Sequence, residues 1–454
     1  MSLLIAFYGD DFTGSTDALD FLSKAGIKTM LFIEPPSKEQ LSRYKDIQAI
    51  GVAGKTRAMI PADMEKELNT AFSSLKDLQA WHVHYKVCST FDSSPEIGSI
   101  GKAIEVGAEI FETDFIPLLV AAPALGRYCA FGNLFARMGI GSNGSIYRLD
   151  RHPSMSKHPT TPADESDLRL HLSRQTNKKA GLIDILQIEE DFSEIRAAVD
   201  KLLREGNEIV LFDAMYQQQL ASVGAVIDSY SAAGETVFSV GSSGIEMALG
   251  AWWKETGMIA GSPEWPDAGA RGPILVVSGS CSPVTSGQIA YALANGFKDV
   301  AIDTEALAAG GSSSDIANEH ARQAALLLAA GESVLVHTSR GNDDIRVKNT
   351  ELIFTEKGKP KTETALLYGT LLGQIARKTA ELHPLKRIII AGGDTSSYAA
   401  RAMGIEAVEM IAPLSPGAPL CKAYAPGSSI DGMEVNFKGG QVGKEDYFLS
   451  GRGS

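Results

Sequence analysis

The chain has 454 residues, a length that suits two domains of ordinary size better than one. With 44% hydrophobic and 21% charged residues it reads as a globular protein, and a formal net charge of −13 argues against a nucleic-acid or anionic-membrane binder. An anionic substrate must then be held by local arginines and lysines working against that field.

The start "MSLLIAFYGDDF" lacks a basic n-region, and no run approaches the roughly 18 apolar residues of a membrane span. The four cysteines, Cys88, Cys129, Cys281 and Cys421, have no metal-ligand or disulfide spacing. The expected setting is the cytoplasm.

Residues 2–8 read as a buried strand, followed by a helix in which Ala18, Leu22 and Ala25 keep helical spacing and Gly26 stops the run. Residues 27–33 form the next strand, completing a βαβ unit that requires parallel pairing. Further strands are expected at 47–53, 80–87, 116–122, 181–185, 208–214 and 236–240. A second series is expected at 273–280, 298–303, 332–338, 387–393, 406–411 and 433–440. The predicted class is α/β, with two domains that each carry a mainly parallel sheet flanked by helices. Gly and Pro cluster at 257–273, so the boundaries are set at 1–262 and 270–454. The stretch from Gly126 to Pro162 reads as a long loop or a β-excursion.

Ligands of such sheets sit at the carboxyl ends of the strands, which makes the strand-to-helix turns the places to look. In "FYGDDFTGSTDALD" two aspartates, Asp10 and Asp11, precede a helix. One can cap the helix while the other faces a ligand and takes a proton from a hydroxyl; Asp11 is the expected base. In "GVAGKTRAMIP", Lys55 and Arg57 suit a carboxylate. In "HVHYKVCSTFDSSPEIG", Lys86, Ser89, Thr90 and Asp92 gather before a helix start, while the His82-x-His84 pair is a weak metal signal.

The second half repeats the pattern. "VVSGSCSPVTSGQ" sets small hydroxyl residues after a strand, a common phosphate cradle, without the spacing of a Walker A loop. "IIIAGGDTSSYAA" places Gly392, Gly393, Asp394 and Thr395 at the next such turn, and "FKGGQVGKEDYF" adds Lys438, Gly439 and Gly440. "VGSSGIEMAL", at 240–249, has the same look at the end of the first half. No Gly-x-Ser-x-Gly elbow, His-Glu-x-x-His or Gly-x-Gly-x-x-Gly after the first strand is present, which weakens hydrolase, metalloprotease and dehydrogenase readings.

Taken in order, "GDDFTGSTDALD", "TRAMIP", "KVCSTFDSSPEIG", "SGSCSPVTSGQI", "AGGDTSS", "PGAPL" and "FKGGQVGKEDYF" resemble the four-carbon acid sugar kinase family over nearly the whole chain. The resemblance implies an ATP-dependent, Mg2+-requiring kinase of a small sugar acid, with the substrate in the N-terminal domain, the nucleotide in the C-terminal domain and the chemistry in the crevice between them. It implies substrate contacts from Asp10, Asp11, Arg57, Lys86, Val87, Cys88, Ser89, Thr90 and Asp92, with Asp10, Asp11 and Lys86 catalytic. Nucleotide contacts are implied from Ser280, Ser282, Gly392, Gly393, Asp394, Thr395, Lys438, Gly439 and Gly440. Mg2+ ligands are left unassigned, a homodimer is the candidate assembly, and neither nucleic acid nor membrane is expected as a partner.

One motif departs from the family. Its third element usually reads Lys-x-Asp-Ser-Thr-x-Arg-Gly-Asn, whereas here Cys88 replaces the Asp and Asp92 the Arg. Replacing a cation by an anion near the substrate carboxylate points to a different acid, such as the branched keto acid 3-oxo-isoapionate. The alternatives are a nicotinamide-dependent sugar-acid dehydrogenase and a non-catalytic sugar-acid-binding protein.

Overall fold

The computed structural model describes residues 3–138, 144–158, 160–231, 235–341, 343–358 and 362–453, with backbone alone at 362, 363 and 394. The chain forms two compact units, Met1–Pro263 and Glu264–Ser454.

In the first unit the strands are β1 (Ile5–Gly9), β2 (Thr29–Phe32), β3 (Ala49–Ala53), β4 (His82–Lys86) and β5 (Ile116–Leu119). Then come β6 (Arg127–Ala130), β7 (Asn133–Arg137), β8 (Ile146–Arg148), β9 (Ala180–Ile183), β10 (Ile209–Phe212) and β11 (Val237–Gly241). Eight of them make a parallel run in the order β2-β3-β1-β4-β11-β5-β10-β9. Strands β1, β3, β4 and β11 are buried along their whole length, as sheets covered on both faces require. Phe72 fills one face, meeting Tyr8, Tyr85, Phe111 and Phe238 with ring centroids 5.3–6.2 Å apart.

The order reverses at β1. The chain runs from β1 outward to β2, returns to β3, then crosses to β4 on the other side of β1. Such a reversal marks the carboxyl ends of β1 and β4 as the place where open α/β sheets bind ligands.

The excursion after Gly126 is a separate three-stranded antiparallel sheet, β6-β7-β8. It is pinned to the main sheet by Cys129 N–H donating to Ala214 O at 2.9 Å and by Gly132 N–H on the Asp213 carboxylate at 3.1 and 3.3 Å.

The second unit contains β12 (Leu275–Ser278), β13 (Lys298–Ala301), β14 (Val334–His337), β15 (Arg387–Ala391), β16 (Ala407–Ser415), β17 (Ala418–Tyr424) and β18 (Glu434–Lys438). The order β13-β14-β12-β15-β18 is parallel and reverses direction between β12 and β15. Strands β17 and β16 follow as antiparallel neighbours. Strand β17 is absent from the sequence reading, and β16 runs past the expected end at 411. Pro413 and the Pro416-Gly417 pair look like loop residues, yet the strand absorbs the first in a register shift and turns on the second, with Gly417 at φ +74°.

Candidate active site

Asp10 and Asp11 follow β1 directly and are both buried. Asp11 is the N-cap of the helix Phe12–Ala25: its Oδ1 accepts from Gly14 N–H at 2.6 Å and its Oδ2 from Thr13 Oγ1 at 2.9 Å. Gly26, at φ +97°, ends that helix in the left-handed region. The expected base is thus occupied as a cap.

Arg57, just beyond β3, binds both aspartates. Its Nε and Nη2 fork the Asp10 carboxylate at 3.2 and 3.1 Å, and its Nη1 lies 2.7 Å from Asp11 Oδ2. Cys88 N–H adds a contact to Asp10 Oδ2 at 3.3 Å. Burial raises the pKa of Asp10 and the Asp11 charge adds to the rise, while Arg57 opposes it. Burial would lower the pKa of Arg57, but Asp10 and Asp11 more than offset it, so the guanidinium stays charged. The substrate carboxylate expected on Arg57 therefore competes with two protein carboxylates already there.

Lys86 ends β4, and its Nζ donates to Val87 O at 3.1 Å and sits 3.6 Å from Asp17 Oδ2. Burial would lower its pKa, and Asp17 and Asp10 raise it beyond the ordinary lysine value. Behind it lies a buried polar chain that the sequence reading did not place in the site. Ser243 Oγ donates to Asp17 Oδ2, and His84 Nδ1 pairs with Glu246 Oε1 at 2.6 Å. Asp17 Oδ1 and Glu246 Oε2 are buried without a partner. Two signals could have revealed this chain: Asp17 is an acid on the buried side of its helix, and Ser243 with Glu246 belongs to the Gly-Ser-Ser turn at 240–249.

The third turn delivers part of its set. Val87 is fully buried, with its N–H on Gly241 O at 2.7 Å and its carbonyl on Lys86, so it contributes no free group. Cys88 Sγ contacts Thr90 Oγ1 at 3.0 Å, and burial, helped by Asp92, pushes its thiol up to about 11, which keeps it an unreactive thiol. Ser89 and Thr90 are buried, and Asp92 Oδ1 is buried with no donor. His82 bonds Asp228, not a metal partner of His84. Among the described residues no three His, Cys, Asp or Glu side chains come together as a metal site. No helix among them is long and apolar enough to cross a membrane.

In the second unit Ser282 caps the helix Pro283–Ala294, accepting from Thr285 N–H at 3.1 Å. Ser282 Oγ donates to Gly440 O, and Thr285 Oγ1 donates to the same oxygen at 2.9 Å. Lys438 Nζ reaches Thr285 Oγ1 and Gly439 O, both at 2.9 Å. Thr285 is the link that sequence reasoning missed, although it sits three residues after the cap, where a hydroxyl faces the same end.

Gly392 adopts φ +132° against Ser280 and Thr395, a conformation and a closeness that suit glycine. The Ser280 and Gly392-Gly393 turns line a cavity of about 360 Å3 together with Thr395, Phe354 and Tyr368, whereas Ser282, Lys438, Gly439 and Gly440 are not among its lining residues. Backbone N–H groups beside apolar rings fit a phosphate and a base. Asp394 belongs to the helix Gly393–Ala402, and its side chain lies outside the described residues.

Known proteins resemble the chain over 98% of its length. The model of a sugar-binding N-terminal domain matches residues 5–249, and that of a nucleotide-binding C-terminal domain matches residues 275–448. A 3-oxo-isoapionate kinase of Paraburkholderia graminis is 41% identical over 450 residues, covering 98% of this chain and 93% of the relative. A 3-oxo-tetronate kinase of Pseudomonas savastanoi pv. phaseolicola is 28% identical, covering 98% and 96%. A crystal structure from Salmonella typhimurium LT2, provisionally described as a tRNA synthase, superposes with a TM-score of 0.77 at 26% identity and 98% coverage of both chains. The chain belongs to the family of sugar-acid kinases built from a sugar-binding N-terminal domain and a nucleotide-binding C-terminal domain.

Proposed function

We propose that the protein transfers the terminal phosphoryl group of ATP to a hydroxyl of a branched keto sugar acid of the 3-oxo-isoapionate type. The observation that carries this reading is the buried Asp10, forked by Arg57 at the carboxyl end of β1, with the Lys86 ammonium at the end of the neighbouring strand β4. The Cys88 and Asp92 departures, together with the 41% identity to a 3-oxo-isoapionate kinase, support that acid over threonate.

Asp10 accepts the proton as the hydroxyl oxygen bonds to phosphorus and the phosphoanhydride bond breaks, releasing ADP. Asp10 takes this role because Asp11 is committed to the helix cap, and burial raises the pKa of Asp10. Arg57 holds the pair in place, and Lys86 screens the charge on the moving phosphoryl group. Backbone N–H groups around Ser280, Gly392, Gly393 and Thr395, with Lys438 and the Gly439-Gly440 turn, cradle the phosphates. Mg2+ arriving with ATP would supply neutralisation of the phosphate charge during the transfer.

ADP release measured with 3-oxo-isoapionate, 3-oxo-tetronate, D-erythronate and D-threonate tests the reading. The highest kcat/KM is expected on 3-oxo-isoapionate. Best activity on D-threonate would sink the substrate assignment, and ADP release with none of the acids would sink the reaction.

A further inference from the structure

Three cations stand near the proposed acceptor site, and two are already engaged. Arg57 is shared between Asp10 and Asp11, and Lys86 faces Asp17. The third is Arg127, the first residue of β6, which sequence reasoning did not single out. Its N–H donates to Ala122 O at 3.2 Å and its carbonyl accepts from Ala122 N–H at 3.0 Å. That bridge seats it just past the end of β5, at the carboxyl edge of the parallel sheet.

Arg127 is a cation without an anion. It is 7% exposed and makes no ion pair among the described residues. Nη1 is spent on three carbonyl oxygens, those of Leu125, Gly126 and Arg137, at 3.1, 3.3 and 3.2 Å. Nε is buried with no acceptor. Nε lies on the edge of the guanidinium that forks a carboxylate, the edge Arg57 uses on Asp10. Burial lowers the pKa of Arg127, and the groups within electrostatic reach that oppose the shift are led by Cys88, Asp92 and Asp17. Asp92 in turn holds a buried Oδ1 with no donor. An unsatisfied donor and an unsatisfied acceptor thus stand in one neighbourhood without meeting each other, although each carries a desolvation cost.

Both would be satisfied by a small molecule bearing a carboxylate and a hydroxyl. We propose that Arg127 binds the substrate carboxylate through its Nε edge while Asp92 accepts from a substrate hydroxyl, so that this pair selects the acid. The assignment rests on the sugar-acid reading above and deepens it. It explains how an anion is tolerated at Asp92: the carboxylate is held from the antiparallel excursion rather than from the third turn, leaving Asp92 to a neutral group.

The test is calorimetric binding of 3-oxo-isoapionate and of its neutral primary amide to the full chain, as wild type, Arg127→Gln and Arg127→Lys. Wild type should bind the acid at least about 10-fold more tightly than the amide, the scale of one charge-assisted fork. Arg127→Gln should bring the acid down to the amide's level and Arg127→Lys should weaken acid binding by losing the fork, while amide binding and the KM for ATP hold. Arg127→Lys keeps the charge but has no Nε edge to fork a carboxylate, so it decides the matter if Arg127→Gln does not fold. Asp92→Asn should weaken the parent acid and leave an analogue lacking the contacted hydroxyl unaffected. Unchanged acid binding in Arg127→Lys, or equal losses for acid and amide, would overturn the proposal. Wild type that binds the acid through Arg127 but releases no ADP would overturn the kinase reading instead. Wild type that turns over the acid yet binds the amide equally well would overturn this inference alone.

Discussion

Lys438 Nζ donates to Thr285 Oγ1 at 2.9 Å, so a fully buried lysine faces a neutral hydroxyl instead of a carboxylate. Its other contacts are the Gly439 carbonyl and the face of Tyr447, whose ring centre lies 5.7 Å away. Burial brings its pKa down to about 7 from the ordinary 10.5. With the folded value below the unfolded one, the charged lysine costs stability below pH 7. The cost is relieved as pH rises from about 7 to 10.5.

On the proposed reading, an ATP phosphate brought beside Lys438 would reverse that balance by favouring the ammonium form. ATP binding at pH 8 is therefore expected to take up a proton and to weaken as pH climbs above 7. Calorimetry at pH 8 in buffers of different ionisation enthalpy reads the uptake directly. Lys438→Met should abolish both the buffer dependence and the pH slope, and buffer-independent heats in the wild type would rule the linkage out.

Asp10 and Asp11 should separate cleanly when mutated. Asp10→Asn is expected to lower kcat by roughly 10²- to 10⁴-fold with ATP affinity intact. Asp11→Ala removes the cap on Gly14 and one arm of Arg57, so its first effect is a lower Tm, about 1–2 kcal/mol of stability. Since the pKa of Asp10 is raised, kcat/KM should fall as pH drops through that raised value. A pH–rate profile whose acid limb survives in Asp10→Asn would reassign the base.

Gly14 marks how closely the site is packed. A Cβ there would stand 2.6 Å from Asp11 Oδ1 and 3.1 Å from Lys86 Nζ. Gly14→Ala should displace both groups and cut kcat/KM for the sugar acid by about 10- to 100-fold, the effect of a small misplacement at a reacting centre. ATP binding measured in the same variant should not change.

Asp213 ties the three-stranded excursion to the end of β10 through Gly132 N–H. Burial lifts its carboxyl to about 6, with backbone N–H groups opposing the shift. A folded value above the unfolded 3.8 means its stabilising share is full below about pH 4 and is lost as pH rises through 6. Asp213→Asn keeps an acceptor and removes the titration. Chemical denaturation should find it more stable than wild type at pH 8, by on the order of 1 kcal/mol, and no different at pH 4.

Features that depend on near neighbours were legible along the chain. Each strand followed by a polar turn and a helix was legible because apolar runs and helical spacing repeat over a few residues. So was the presence of a cap at Asp10-Asp11, since an aspartate reaches the N–H three residues on. The β6–β8 sheet was legible only as one of two alternatives, a loop or a β-excursion, and β17 was not read as a strand, because prolines and short alternating runs look like loops until a neighbouring strand supplies the hydrogen bonds. That Arg57 forks Asp10 while also reaching Asp11 spans 47 residues of chain and has no local signal. Likewise Lys438 meets Thr285 across 153 residues, and Arg127 is left without an anion by the bridge that seats it at Ala122. Strand register accounts for this. Gly9 pairs with Ala53 on one side and Lys86 on the other, which sets three distant turns side by side. Spacing along a chain carries no record of that pairing, and tertiary structure alone decides it.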